Sequence, residues 1–200
     1  IPSQPIAIPV DGAFVPSQTA VRFARGERAW TTLTIERTGS GLEVVEHESG
    51  LRGLEVMKVG GSSFVGYIKD EYTTLPETTD RPLYVALDIA WRYEEPAAAL
   101  DPQPSAYVAP EQVRDLAQVL FTTMADRSIQ QLLYCLAQRM LERFPSLAEV
   151  ALVGQNRTRQ VVGISPADPS RKVLTDPFPA YGCIRLAMQR PIEKEATWDG

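Results

Sequence analysis

Residues 64–81, FVGYIKDEYTTLPETTDR, begin with a phenylalanine ring and end with a guanidinium, with Asp70, Glu71, Glu77 and a run of hydroxyls between them. A ring face takes a flat partner by stacking, and an arginine grips an anion through two parallel N–H groups. Phe64 and Arg81 therefore have the chemistry of two walls of a pocket for a planar anion. Taken singly, each has an ordinary reading: Phe64 as core packing, Arg81 as a surface partner for Asp80 or Glu77. The acids between them suit a loop ordered by salt bridges and backbone contacts better than contact with an anionic ligand. Thr73 and Thr74 are left without an assigned role, with hydroxyls able to cap the segment internally.

The remaining inventory is sparse. One histidine, His47, lies in a charged strand-like segment, and Cys135 and Cys183 stand far apart among apolar residues. Neither cysteine has a partner at metal-ligand spacing, so a zinc or iron site lacks soft and imidazole ligands, and any Ser-His-Asp scheme would have to draw on His47. The KVGGSSF stretch has neither the G-x-G-x-x-G nor the G-K-[ST] pattern, and no strand, phosphate loop and helix follow one another. No metal and no organic cofactor is expected. What remains is chemistry that leans on binding, or no chemistry.

The whole chain bounds these readings. Its 200 residues, 44% hydrophobic and 22% charged, are enough to bury a sizeable core. Twenty basic and 25 acidic residues leave a net charge of −5 with no basic block, which argues against nucleic acid as a partner. The dispersed cysteines fit buried thiols in a reducing compartment. No stretch approaches the roughly 18 apolar residues of a membrane span, and the amino end IPSQPIAIPVDG lacks the basic start and apolar core of a signal peptide. A cytoplasmic location without membrane contact is the expectation.

Periodicity supplies the elements that must position the candidate residues. Alternation through Trp30, Leu33 and Ile35, then GLEVVEHESG and GLEVMKVG, predicts short strands bounded by glycines. PLYVALDIAWRYEE alternates Leu83, Val85, Leu87, Ile89 and Trp91 against Tyr84, Ala86, Asp88, Ala90 and Arg92, a long strand with one face for a core. Pro110 suits a first helical turn, and Val113, Leu116, Ala117, Leu120, Phe121 and Met124 form the stripe of a helix from about Glu111. Ser128 with Gln131 fits a capping box for a second helix, whose stripe runs from Ile129 to Phe144 and stops at Pro145. LAEVALVG and TRQVVGIS read as a strand pair around a turn at Gln155 to Arg157, and YGCIRLAMQR as the last strand. The sum is an α+β arrangement with an antiparallel sheet and both helices on one face.

Four ordered blocks, SSFVGYIKDEYTTLPETTDR, IAWRY, DRSIQQLLYCLAQRMLERFP and GQNRTR, make the chain similar to urate oxidase, the cofactor-independent uricase of the tunnelling fold (T-fold). The likeness covers residues 50–190, with a looser echo in residues 8–35. It implies a ring-forming fold built from two copies of a strand-strand-helix-helix-strand-strand module. Residues 1–60 would be the final strands of an incomplete first module, 61–82 an inter-module connection carrying pocket residues, and 83–200 the second module. By the same resemblance Phe64 underlies the purine, Arg81 and Gln130 hold its edge, the Ile129 backbone amide adds a donor, and Asn156 faces dioxygen over the ring. Taken alone, Gln130 is an ordinary first-turn helix residue; its company in the ordered blocks gives it a role.

The resemblance also brings departures. Thr158 stands where urate oxidases carry a histidine of the proton-transfer network, and a threonine hydroxyl orients water without titrating near neutral pH. The family's lysine and threonine that deprotonate substrate across a subunit interface have no counterpart here. An amino-terminal fragment or companion subunit, and further copies closing a tetramer-like ring, are therefore expected partners beside dioxygen and a small planar heterocycle. The implied activity is oxidation of urate to 5-hydroxyisourate and hydrogen peroxide. Oxidation of another nitrogen heterocycle, and a non-catalytic subunit of such an assembly, stay open.

Overall fold

The computed structural model describes residues 3–23, 26–74, 76–101, 106–124, 128–157, 159–169, 171–176 and 181–191. Five strands come first: β1 (Ser3–Val10), β2 (Ala13–Phe23), β3 (Arg28–Thr38), β4 (Gly41–Phe64) and β5 (Thr78–Tyr93). Helices α1 (Pro110–Thr123) and α2 (Ile129–Arg143) follow, then β6 (Leu147–Arg157), β7 (Val161–Ile164), β8 (Lys172–Leu174) and β9 (Gly182–Gln189). Seven strands make one sheet in the order β1-β2-β4-β5-β6-β9, with β3 also paired to β4, and every pairing is antiparallel. The α+β architecture expected from periodicity is the one observed.

Two expectations need correction. GLEVVEHESG and GLEVMKVG are not separate strands but halves of β4, which is 24 residues long. Gly53, at φ 73°, lets the chain slip its register on β5 between Leu51 and Leu54 without ending the strand. The first half of β4 takes β3 on one edge and the second half takes β2, so those two strands share that edge while β5 runs along the other. Gln155 to Arg157 are likewise not a turn: β6 continues through Arg157, bonded to β5 on one side and, as far as Asn156, to β9 on the other. The VVGIS segment pairs instead with β8 in a small second sheet.

The helices lie where their stripes require. Pro110 opens α1, where its missing N–H costs nothing, and Gln112 Oε1 accepts from the Ala109 amide. Ser128 Oγ accepts from Gln131 N at the start of α2. Val113, Ala117 and Phe121 of α1 and Leu132, Leu133, Leu136 and Met140 of α2 are buried against Leu54, Val56, Val85, Leu87, Ile89, Trp91, Val150 and Leu152 of the sheet. Burying one such side chain fully is worth about 1.5–3 kcal/mol, so this layer holds the sheet beneath it fixed. Among the described residues no helix is long and apolar enough to cross a membrane.

Candidate substrate site

Phe64 closes β4 and Arg81 lies near the start of β5, so the two pocket walls occupy facing strands although a loop separates them in sequence. Ser62 pairs with Arg81 and Phe64 with Thr78, with register shifts on both sides of Ser62. Those bulges turn the end of the ladder out of regular geometry. The Arg81 guanidinium carbon lies over the Phe64 ring at 4.9 Å from its centroid, and Tyr67 stacks on Phe64 at 4.4 Å with the planes 20° apart.

Neither reading of Arg81 as a surface partner holds. Asp80 accepts from Gly61 N at 2.8 Å and bridges to Lys172, while Glu77 accepts from Gly66 N and bridges to Lys69. These bonds, the backbone amide foremost in each case, keep both carboxyls below the ordinary carboxylate range. Asp70 accepts from Tyr72 N and from the Thr73 hydroxyl. Asp70 and Glu77 order the loop, as expected, and Thr73 caps it, whereas Glu71 makes no such bond among the described residues. Arg81 itself makes no hydrogen bond or ion pair among the described residues, and burial lowers its pKa from the usual arginine value. Its Nε is buried without an acceptor and no group among the described residues claims its other donors, which leaves a half-buried cation over a ring.

The other candidates come from the helix layer and the next strand. Ile129 and Gln130 are the first two residues of α2. Gln131 N is taken by the Ser128 cap, which leaves the Ile129 and Gln130 amides at the positive end of the helix with no intrahelical acceptor. The Ile129 side chain is buried, and a Cβ on Gly154 would lie 3.1 Å from its Cδ1, so the glycine in β6 is what lets the helix start this close to the sheet. Asn156 lies two residues further along the same face of β6 and opposite Val85. Arg81 precedes Val85 by four residues on β5, which puts both side chains on the helix-covered face. Gln130 is exposed, and neither it nor Asn156 bonds to Phe64 or Arg81. Thr158 lies outside the described residues.

Two residues that the sequence reading passed over belong to this corner. Ser62, 1% exposed, carries a hydroxyl with no hydrogen-bond partner directly across the ladder from Arg81. Lys58, 5% exposed, donates from Nζ to the Met124 carbonyl at 3.1 Å and lies 4.9 Å from the Phe121 ring centroid. Its ammonium thereby meets the negative end of α1, just before the chain enters α2. Lys58 follows Leu54 and Val56 in the alternation of β4, a lysine on an apolar face, and that parity was readable in the sequence.

The opposite face of the sheet carries different chemistry. Tyr84 donates to Glu55 at 2.5 Å, and burial, reinforced by that carboxylate, pushes its pKa up to about 12. Arg157 and Arg159 lie 5.9 and 5.8 Å from its ring centroid. Asn156 and Arg157, adjacent in sequence, thus serve opposite faces.

Known proteins resemble the chain over most of its length. The family model described as Uricase matches residues 47–175. A uricase of Halalkalicoccus jeotgali is 42% identical over 183 residues, covering 92% of this chain and 60% of the relative. The crystal structure of a uricase from Bacillus fastidious superposes with a TM-score of 0.75 at 42% identity, over 94% of this chain and 58% of that one. That of urate oxidase from Bacillus sp. TB-90 does so at 0.76 and 38%, over 96% and 63%. The chain thus spans about 60% of the length of these relatives.

Proposed function

The chain belongs to the uricase family, and we propose from that membership that Phe64, Arg81, Ile129, Gln130 and Asn156 hold urate for oxidation by dioxygen without a cofactor. The observation that carries the reading is the unclaimed Arg81 guanidinium beside the Phe64 ring, on the sheet face that also presents Asn156 and the start of α2. Urate is flat, anionic and rich in donors and acceptors. A ring takes its face, a two-pronged cation its anionic edge, and helix-terminal amides a further oxygen. The heterocycle is its own reductant: urate gives up two electrons, dioxygen takes them with two protons to become hydrogen peroxide, and water adds to the oxidised ring to give 5-hydroxyisourate. The protein's part is orientation and electrostatics.

Completion of the site by other polypeptide belongs to the same proposal. Val10, Phe14, Ile35 and Leu42 of the amino-terminal hairpins are exposed, and apolar surface of this kind suits cover by a companion subunit or by further copies in a ring. One sequence feature favours a second reading, oxidation of a different nitrogen heterocycle: Thr158 in place of a histidine leaves this chain without a titrating group at that position.

Oxygen uptake by the native assembly decides between them. Stripped of metal and flavin, it should consume dioxygen with urate and release peroxide in equal amount, and Thr158→His should raise turnover more than it changes binding, because the clamp residues do the holding. Uptake with another heterocycle and none with urate, in either form, would select the second reading.

A further inference from the structure

Ser62 and Arg81 are direct partners across the β4–β5 ladder, so their side chains leave the sheet on one face. Ser62 is 1% exposed and its Oγ has no hydrogen-bond partner among the described residues; Arg81 Nε is buried and has none there either. One group is an acceptor without a donor, the other a donor without an acceptor. An unsatisfied buried polar group in a native fold calls for a physical reason, and two complementary ones on paired residues share one. Register shifts flank Ser62 on both sides, and Gly61, at φ 78°, sits in the first. The backbone that carries Ser62 is thus irregular directly opposite Arg81.

We propose that Ser62 is a positioning residue for the arginine clamp: when a planar anion enters, Ser62 Oγ accepts a hydrogen bond from Arg81 Nε and locks the guanidinium plane with its terminal N–H pair toward the ligand. This rests on the reading that Arg81 grips such an anion. The bond uses the edge of the guanidinium that a bidentate ligand leaves free, so both contacts form together. It also accounts for a buried serine opposite the arginine. Alanine there would remove an orphan hydroxyl without leaving a cavity of consequence, so the hydroxyl contributes to ligand binding and not to the unliganded fold.

A double-mutant cycle on the native assembly tests it, with urate as the probe under anaerobic conditions so that binding is read without turnover. Ser62→Ala should weaken urate binding about five- to tenfold when Arg81 is present, and less than about twofold in the Arg81→Lys background, since lysine has no side-on N–H for the serine to hold. In steady state the same loss should appear in KM, with kcat within about twofold, because the orienting bond serves ground and transition states alike. Thermal unfolding of Ser62→Ala without ligand should match the wild type. Equal losses in the two backgrounds, no loss in either, or a melting point lower by more than about 5 °C would each overturn the proposal, the last by showing that the hydroxyl has a structural bond. Unchanged binding in Arg81→Lys alone would instead bring down the clamp reading itself.

Discussion

The β4–β5 ladder carries buried hydroxyls at both of its ends and treats them in opposite ways. At the end away from the clamp, His47 Nε2 and Ser49 Oγ are 2.7 Å apart, Ser49 Oγ and Thr31 Oγ1 are 2.8 Å apart, and Tyr93 Oη accepts from Val108 N. These hydroxyls are engaged and the His47 and Tyr93 rings lie 4.7 Å apart, while His47 Nδ1 and Trp91 Nε1 are buried without a partner among the described residues. At the other end the Ser62 hydroxyl and the Arg81 guanidinium are engaged by nothing among the described residues except the Phe64 ring. Between the ends, Leu54 to Lys58 face Leu87 to Leu83 without interruption. Hydroxyls bonded within the fold specify it, and the one left open beside an unclaimed arginine at a broken ladder end is available to something else.

The largest effect expected from this division is in the uninterrupted middle. Leu87 is 1% exposed beneath the helices, so Leu87→Ala should destabilise the fold by about 2–5 kcal/mol in urea unfolding. The molecules that remain folded should bind urate as the wild type does. A loss of affinity matching that of a clamp variant would break the separation between middle and end. Next in size is the clamp ring. Phe64→Leu keeps a hydrophobic side chain but removes the flat face, and urate affinity should fall about two- to tenfold, corresponding to the ~0.5–1.5 kcal/mol that aromatic stacking adds beyond area. Isothermal titration with the anaerobic assembly reads this directly, and an unchanged affinity would leave Phe64 as plain core packing.

Much of the middle was legible in the sequence, and much of the ends was not. Leu83 to Trp91 alternate because one face of β5 meets two helices, and the helical stripes of α1 and α2 answer them. The glycines of β4 read as strand breaks because glycine weakens a strand interior; in the fold Gly53 marks a bulge inside one long strand. Gln155, Asn156 and Arg157 read as a turn because they are polar, but polarity there marks the point at which β6 runs past the core toward the site. Phe64 and Arg81 stood out by type at the two ends of one loop. Ser62 did not: a bulge changes which face each residue takes, and no period in the sequence reports a bulge.

The smallest effect concerns the end away from the clamp and is read against pH. Burial lowers the pKa of His47; Glu48 opposes this and Arg92 adds to it. Its Nδ1 is buried with no partner, so a protonated ring would hold a second N–H donor with nothing to accept it. Because the folded-state pKa is depressed, the unfolded chain binds the proton first as pH falls through the ordinary histidine value of about 6.5. Stability is therefore fully present above that pH and declines below it, by at most about 1.4 kcal/mol per pH unit for one proton. His47→Gln keeps a polar partner for Ser49 and cannot titrate, so the variant's stability should change less between pH 7 and 5 than the wild type's, while urate affinity at pH 7 stays the same. Urea unfolding at a series of pH values gives both curves. Parallel curves would mean that His47 accepts its proton in the folded protein, and the far end of the ladder would then be as open to chemistry as the clamp.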